Sequence, residues 1–156
     1  MNYIIKISIF YIFVFFMMFS CANSKNNVNV KQSGENVEFV EMRRLNSGIN
    51  LKELSVIHST TGIKELYGRL NEGFSRSAPI PVLENNNEFF LVLKPKLKNV
   101  QYGDIHIEKI EAKGPVLIVN YKEIENWEYA EKKLSNPVLI VKVLSKPGEI
   151  HLNLIK

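Results

Sequence analysis

The chain has little of what usually identifies a function. It contains one cysteine and one tryptophan in 156 residues, and its formal net charge of +4 comes from 20 basic and 16 acidic residues. A single cysteine cannot form a disulfide within the chain. The basic residues are dispersed, and the densest run, Lys94, Lys96 and Lys98, is typical of a solvated strand end. Because nucleic-acid-binding domains concentrate lysine and arginine in a stripe, we expect no nucleic-acid partner.

Catalytic signatures are also missing. The sequence contains no G-x-S-x-G, no H-E-x-x-H and no paired-cysteine motif, which are the patterns typical of serine hydrolases and zinc sites. His106 and Glu108 would share one strand face, and His58 or His151 would join them only if their strands were neighbours. A metal-dependent hydrolase therefore remains an alternative, but we predict a protein that is not an enzyme, with no catalytic residues, no metal site and no cofactor.

The amino-terminal segment differs in composition from the rest of the chain. Ile7–Phe19 is apolar apart from Ser8 and follows the basic Lys6. A helix of this length rises only about 20 Å, less than the hydrocarbon core of about 30 Å. A positive residue, a short apolar run and small residues after it form the layout of a secretory leader. We predict a signal peptide over residues 1–20; a retained anchor helix that begins near Tyr3 is the alternative.

The only cysteine follows this leader directly. Residues 18–21, with sequence MFSC, resemble the lipobox of bacterial lipoproteins, although Met18 and Phe19 depart from the usual Leu and small residue. The resemblance implies that the leader is cut before Cys21 and that Cys21 is acylated. Two acyl chains anchor a protein stably without a membrane-spanning helix. We therefore expect membrane lipid as a partner and a location at the bacterial cell envelope, facing the periplasm or the exterior. A cleaved leader with an incidental cysteine is the alternative.

The polar stretch after the cysteine predicts a linker. Residues 22–36 are rich in Asn, Ser and Lys and poor in large apolar groups, a composition that favours a disordered tether. We assign residues 21–36 to the acylated cysteine and this tether, and residues 37–156 to a folded domain.

The pattern of the folded part is mostly β. Alternating or continuous apolar runs predict six to seven strands, near residues 37–44, 54–57, 88–93, 103–110, 116–121, 138–144 and 150–154. One clear helix is predicted, because Ile63, Leu66, Tyr67 and Leu70 have helical spacing. Residues 122–134 could form a second helix or a loop. These elements indicate an α+β, mostly β fold with a single compact, antiparallel-rich sheet.

The order of these elements resembles that of a known family. A helix containing TTGIKELY, a connector containing two prolines, Phe89–Leu93, the strand Tyr102–Ile110 and the strand Asn136–Val143 resemble the PrcB-like domain of bacterial secreted proteins and lipoproteins. Where that family carries Gly-Gly-Tyr before the fourth strand, this chain has Val-Gln-Tyr-Gly. The resemblance implies a compact, mostly β domain of a family that is named for a non-catalytic subunit of a secreted protease complex.

Aromatic residues suggest where such a domain would bind. Tyr121, Trp127 and Tyr129 form the densest aromatic group after the leader, and both residue types are favoured interface anchors. The alternative is that Trp127 covers one end of the sheet as ordinary core. The unpaired edge of the last strand is a second candidate docking element. We expect a lipid-anchored, extracytoplasmic accessory or binding subunit with a protein partner in the envelope. A small-ligand or glycan binder is the rival, and a pocket lined by Trp127 and nearby tyrosines would favour it.

Overall fold

A computed structural model of the protein describes residues 34–72 and 78–156. All of them belong to one unit, Gln32–Lys156. The predicted leader, Cys21 and most of the predicted tether lie outside the described residues. The elements in chain order are β1 (Glu35–Val37), β2 (Phe39–Asn46), β3 (Leu54–Ile57), α1 (Thr60–Asn71), β4 (Phe89–Leu93), β5 (Gly103–Lys113), β6 (Val116–Glu125), α2 (Trp127–Glu131), β7 (Pro137–Val143) and β8 (Glu149–Leu154).

The strands form two sheets of four. Sheet A has the order β1-β5-β6-β8, and sheet B has the order β2-β7-β4-β3. Neighbouring strands are antiparallel except β6 and β8, which are parallel. The predicted fold class, α+β and mostly β with one clear helix, is confirmed, but within the described residues the strands number eight and lie in two sheets rather than one.

The main core lies between the two sheets. Alternate residues of β5 and β6 in sheet A meet alternate residues of β4 and β7 in sheet B, as the two-residue period of a strand requires. This core consists of Phe89, Leu91, Leu93, Ile105, Ile107, Ile110, Leu117, Val119, Tyr121, Leu139, Val141 and Val143. The prediction that His106 and Glu108 point away from Ile105 and Ile107 is confirmed.

Helix α1 covers the other face of sheet B. Its predicted stripe, Ile63, Leu66, Tyr67 and Leu70, is buried against Phe90, Val92, Val138 and Ile140. The Ser59 hydroxyl caps the helix by accepting a hydrogen bond from the Gly62 amide at 3.1 Å. Strand β4 is therefore buried on both faces, which explains its continuous apolar sequence. No described neighbouring atom comes within 4 Å of a Cβ placed at Gly68, so no close approach of a strand requires glycine at this position of α1.

Two boundaries differ from the sequence-based expectation. Strand β1 begins at Glu35, inside the segment assigned to the tether, and three residues are too few to show a period in sequence. Of the possible second helix at residues 122–134, only Trp127–Glu131 is helical, because β6 continues to Glu125. Pairing with β5, in which Glu125 lies opposite Gly103, sets that boundary.

Candidate functional site

An open groove lies where the segment before β5 faces the start of α2. Its volume is about 580 Å³, and it is lined by Asn99, Val100, Gln101, Tyr102, Glu125, Asn126, Trp127 and Ala130. We call this site the Trp127 groove. Its size falls within the range of about 300–1,000 Å³ that is usual for small-ligand sites.

Trp127 is the dominant apolar group of the groove. It is the first residue of α2 and is 79% exposed, the highest exposure of any large hydrophobic side chain in the described part of the chain. The reading of Trp127 as core is therefore wrong. The exposed indole leaves a large apolar surface in water, and this surface lies in a concave site with polar side chains around it, as in small-ligand sites.

Capping interactions hold α2, and Trp127 with it, in place. The Asn126 side-chain oxygen accepts hydrogen bonds from the amides of Glu128 (3.1 Å) and Tyr129 (3.3 Å). At the other end, Lys133 has a φ of 51°, a left-handed conformation common just after a helix. A helix of five residues is not stable alone, so its position depends on these caps and on the packing beneath it.

A buried polar network lies beneath α2. Asp104, 2% exposed, accepts a hydrogen bond from the Ile105 amide at 2.7 Å and forms an ion pair with Arg44 at 3.0 Å. Burial and then the negative charge of Asp104 raise the pKa of Tyr129 to about 12. The network joins residues of three elements, Arg44 of β2, Asp104 of β5 and Tyr129 of α2.

Arg44 connects the two sheets at this end of the molecule. Its guanidinium binds Glu41 through two hydrogen bonds of 2.7 and 2.8 Å, and it also donates to the Ile105 carbonyl at 2.5 Å. Hydrogen bonding to Glu41, and then to Asp104, raises the pKa of Arg44. Strand β1 pairs only with residues 110–112 of β5, so it does not cover the edge of β5 at Ile105. Arg44 donates to the Ile105 carbonyl at this uncovered part of the edge.

The opposite wall of the groove is fixed by one carboxylate. Glu123 accepts hydrogen bonds from three consecutive backbone amides, those of Lys98 (2.8 Å), Asn99 (2.6 Å) and Val100 (3.2 Å). A carboxylate that binds several amides makes strong, charge-assisted hydrogen bonds. The segment that carries Asn99 and Gln101 is therefore ordered before any ligand arrives.

The structure separates the aromatic residues that the sequence grouped together. Tyr121 is 5% exposed and belongs to the core between the sheets, and Tyr129 is 8% exposed beneath α2. Little of either side chain is left for contact with a partner, because both fill interior positions. The hypothesis of a partner-binding surface therefore remains for Trp127 alone, and the predicted lipidation site, Cys21, lies outside the described residues.

Tyr102 is the aromatic residue that sequence reasoning missed. It is half-buried and lines the groove with Trp127. The feature of the sequence that could have pointed to Tyr102 is the glycine next to it. In the structure, a Cβ atom at Gly103 would lie 2.5 Å from the Ile124 carbonyl oxygen. Only glycine permits this approach, which brings Tyr102 close to the end of β6.

The residues weighed for metal binding do not converge. His106 lies opposite Lys122 on sheet A, whereas His151 lies opposite Ile118 and bonds Glu149 at 2.8 Å. His58 follows β3 in sheet B and lies beside Phe89, with their ring centroids 6.0 Å apart. Within residues 34–72 and 78–156, no group of three or more His, Cys, Asp or Glu side chains is placed to hold a metal ion.

A second depression, of about 510 Å³, is lined in part by His58, Glu84 and Glu88. Its buried charge is already engaged, since Glu88 accepts hydrogen bonds from the Glu84 amide (2.8 Å) and the Asn85 side chain (3.1 Å). The Lys142 ammonium lies 3.1 Å from Glu84 and 3.7 Å from Glu88. These contacts join a turn to β7, so this depression has a structural explanation that the Trp127 groove lacks.

Comparisons of the chain with models of known protein families, with curated proteins and with solved structures find no significant match. In the part of the chain that the structure describes, no helix has both the length and the apolar character needed to cross a bilayer.

Proposed function

We propose that this chain is a lipid-anchored, extracytoplasmic binding domain without catalytic activity, and that it binds its ligand in the Trp127 groove. The observation that carries the proposal is the exposure of the one tryptophan in the chain on a short, doubly capped helix. A single exposed apolar side chain needs no explanation by itself, but this indole lies in a groove with Tyr102 and the polar side chains of Asn99 and Gln101. Small-ligand sites combine apolar and polar groups in this way.

Both walls of the groove are held in place without a ligand, which supports a binding function. Asn126 and Tyr129 fix the wall that carries Trp127, and Glu123 fixes the wall that carries Asn99 and Gln101. A site ordered in advance loses less conformational entropy when its ligand binds. The same walls bring no nucleophile and base together at the groove, which is why we propose binding rather than catalysis.

The anchor is tested by metabolic labelling with a fatty acid. We expect the native chain to incorporate the label and to fractionate with membranes, and Cys21→Ser to do neither. Mass spectrometry should find Cys21 as the acylated amino-terminus. Recovery from cells of a chain with an intact Met1 and a bare Cys21 sulfur would contradict the anchor and the proposed compartment.

Strand β8 favours a second candidate function, that of an accessory subunit for an envelope or secreted protein. It lies at the edge of sheet A, and β6 is its only partner among the described strands. The Glu149 amide donates to the carbonyl of Pro115, just before β6, and the Ile155 amide donates to the Tyr121 carbonyl in β6. The amides and carbonyls of the alternate residues Ile150, Leu152 and Leu154 therefore point away from β6. Such an edge can pair with a strand of a partner protein.

Affinity purification after mild crosslinking separates the two candidates. A protein captured equally by the native chain and by Trp127→Ala would favour the accessory role through β8. A protein lost on Trp127→Ala would place the protein partner in the groove. If several growth conditions yield no envelope protein, the accessory role is excluded and ligand binding in the groove remains to be measured directly.

A further inference from the structure

Resting on the proposed function, we infer that the ligand of the Trp127 groove is a neutral glycan, with one pyranose ring stacked on the indole. Such a glycan is a chain of sugars whose hydroxyl groups are mostly equatorial, such as β1,4-linked glucose or N-acetylglucosamine. In these sugars the axial C–H bonds form an apolar face, and the hydroxyl groups form a polar rim.

The lining of the groove also combines an apolar surface with polar groups around it. One large exposed ring, that of Trp127, supplies an apolar platform, and Tyr102 adds a smaller aromatic surface. Around them lie the exposed side chains of Asn99, Gln101 and Glu125. Amide and carboxylate groups can donate to or accept from sugar hydroxyls on the rim, while the ring takes the apolar face.

The charge of the lining argues against an anionic ligand. None of the described residues that line the groove is basic, and Glu125 contributes a negative charge. A phosphate, sulfate or uronate group would meet a carboxylate without a cation to offset it. A neutral sugar carries no such penalty and can use Glu125 as a hydrogen-bond acceptor.

The surroundings of Trp127 also argue against a protein interface at this position. Protein interfaces have an apolar centre to which several large side chains contribute. The other exposed large apolar residues in the described part of the chain are Val40, Ile80, Val82, Leu134 and Leu144, and none of them lines the groove. Trp127 is therefore a single aromatic platform within a polar rim, which suits a sugar better than a protein surface.

The single tryptophan makes the test direct, because intrinsic tryptophan fluorescence of the full chain reports only on the groove. The purified protein is kept in a detergent without a sugar head group and is titrated with chitotetraose, cellotetraose and, as an anionic comparator, tetragalacturonate. We expect a saturable change in fluorescence with at least one neutral tetrasaccharide, and at least tenfold weaker binding of tetragalacturonate. The absence of a saturable response to both neutral sugars at millimolar concentration would overturn the inference.

Variants test whether the sugar binds where we infer. Calorimetry should show at least about tenfold weaker binding for Trp127→Ala, the loss expected when an aromatic anchor is removed. Gln101→Ala keeps the fluorescent reporter and should weaken binding by about threefold to tenfold, as for loss of one hydrogen bond. Val82→Ala, which removes an exposed apolar group outside the groove, should bind like the native chain. Sugar binding of equal strength by Trp127→Ala would overturn the inference.

The same materials distinguish failure of this inference from failure of the proposed function. If no neutral sugar binds but crosslinking captures an envelope protein only when Trp127 is present, the glycan is excluded and the binding function of the groove stands. If neither sugar nor protein binds in a manner that depends on Trp127, both the glycan and the proposed function of the groove are overturned.

Discussion

The two helices of this domain use their aromatic residues in opposite ways. Helix α1 has twelve residues and buries its stripe, Tyr67 included, against sheet B. Helix α2 has five residues, buries Tyr129 and leaves Trp127 in solvent. The first helix completes a hydrophobic core, while the second is held by caps and by contact with a polar network.

This difference shows which helix stabilises the fold and which presents a surface. Removing apolar groups from α1 should lower the free energy of unfolding. Removing the indole from α2 should weaken ligand binding and leave the free energy of unfolding almost unchanged. Between these extremes lies the network of Arg44, Asp104 and Tyr129, which should affect both stability and the position of α2.

The largest expected effect is the loss of core packing under α1. Ile63 is fully buried, so Ile63→Ala should lower the free energy of unfolding by about 2–5 kcal/mol through lost burial and a residual cavity. Urea unfolding measures this. Lys64→Ala, on the exposed side of the same helix, is the matched control and should change stability by less than about 0.5 kcal/mol. Similar losses in both variants would contradict the assignment of α1 as a core helix.

A smaller effect is expected from the network beneath α2. Asp104→Asn removes the charge that pairs with Arg44 and should cost about 1–3 kcal/mol. The value lies below that for a fully buried pair because the Arg44 side chain is 27% exposed. We also expect lower fluorescence anisotropy of Trp127, since α2 loses support. Glu41→Gln is the matched control, because Glu41 is the other acidic partner of Arg44 and its side chain is 44% exposed. This change should lower the free energy of unfolding by only about 0–1 kcal/mol. Equal losses in the two variants would show that burial of Asp104 is unimportant.

The pH dependence of stability should carry a contribution from Tyr129. Its pKa is about 12 in the folded chain and about 10 when unfolded. The folded state therefore binds more protons in this interval, and stability should fall as pH rises from about 10 to about 12, by at most about 1.4 kcal/mol per pH unit. Below about pH 10 the contribution is fully present. Urea unfolding should show the native chain losing stability relative to Tyr129→Phe as pH rises across this interval; parallel curves would contradict the raised pKa.

The smallest expected effect on stability comes from Trp127 itself. Because its side chain is 79% exposed, Trp127→Ala should change the free energy of unfolding by no more than about 0.5 kcal/mol. Circular dichroism and urea unfolding measure this. A loss of several kcal/mol would mean that the indole packs on the domain, and the contrast between the two helices would disappear.

Much of the fold was predictable because the relevant signals are local. The stripe of α1, the continuous apolar sequence of β4 and the alternation of Ile105 and Ile107 each follow from the period of one element. The three-residue β1 was missed because its pairing with β5, rather than its own sequence, makes it a strand.

The candidate site was only partly predictable. Trp127 was identified from residue type, but Tyr121 and Tyr129 were grouped with it by proximity in sequence, and the structure buries both. Tyr102 was missed because it joins Trp127 only after β5 pairs with β6. Contacts between residues about 25 positions apart have no local period to reveal them.

The sequence by itself determined the elements that repeat with a regular period and the mostly β character of the domain. The tertiary structure alone decided that the strands divide into two sheets, that β6 runs on to Glu125, and that Trp127 faces solvent while Tyr121 and Tyr129 do not. The reason is physical. A residue's own chemistry sets which local conformations it favours, whereas its burial depends on which distant segments pack against it.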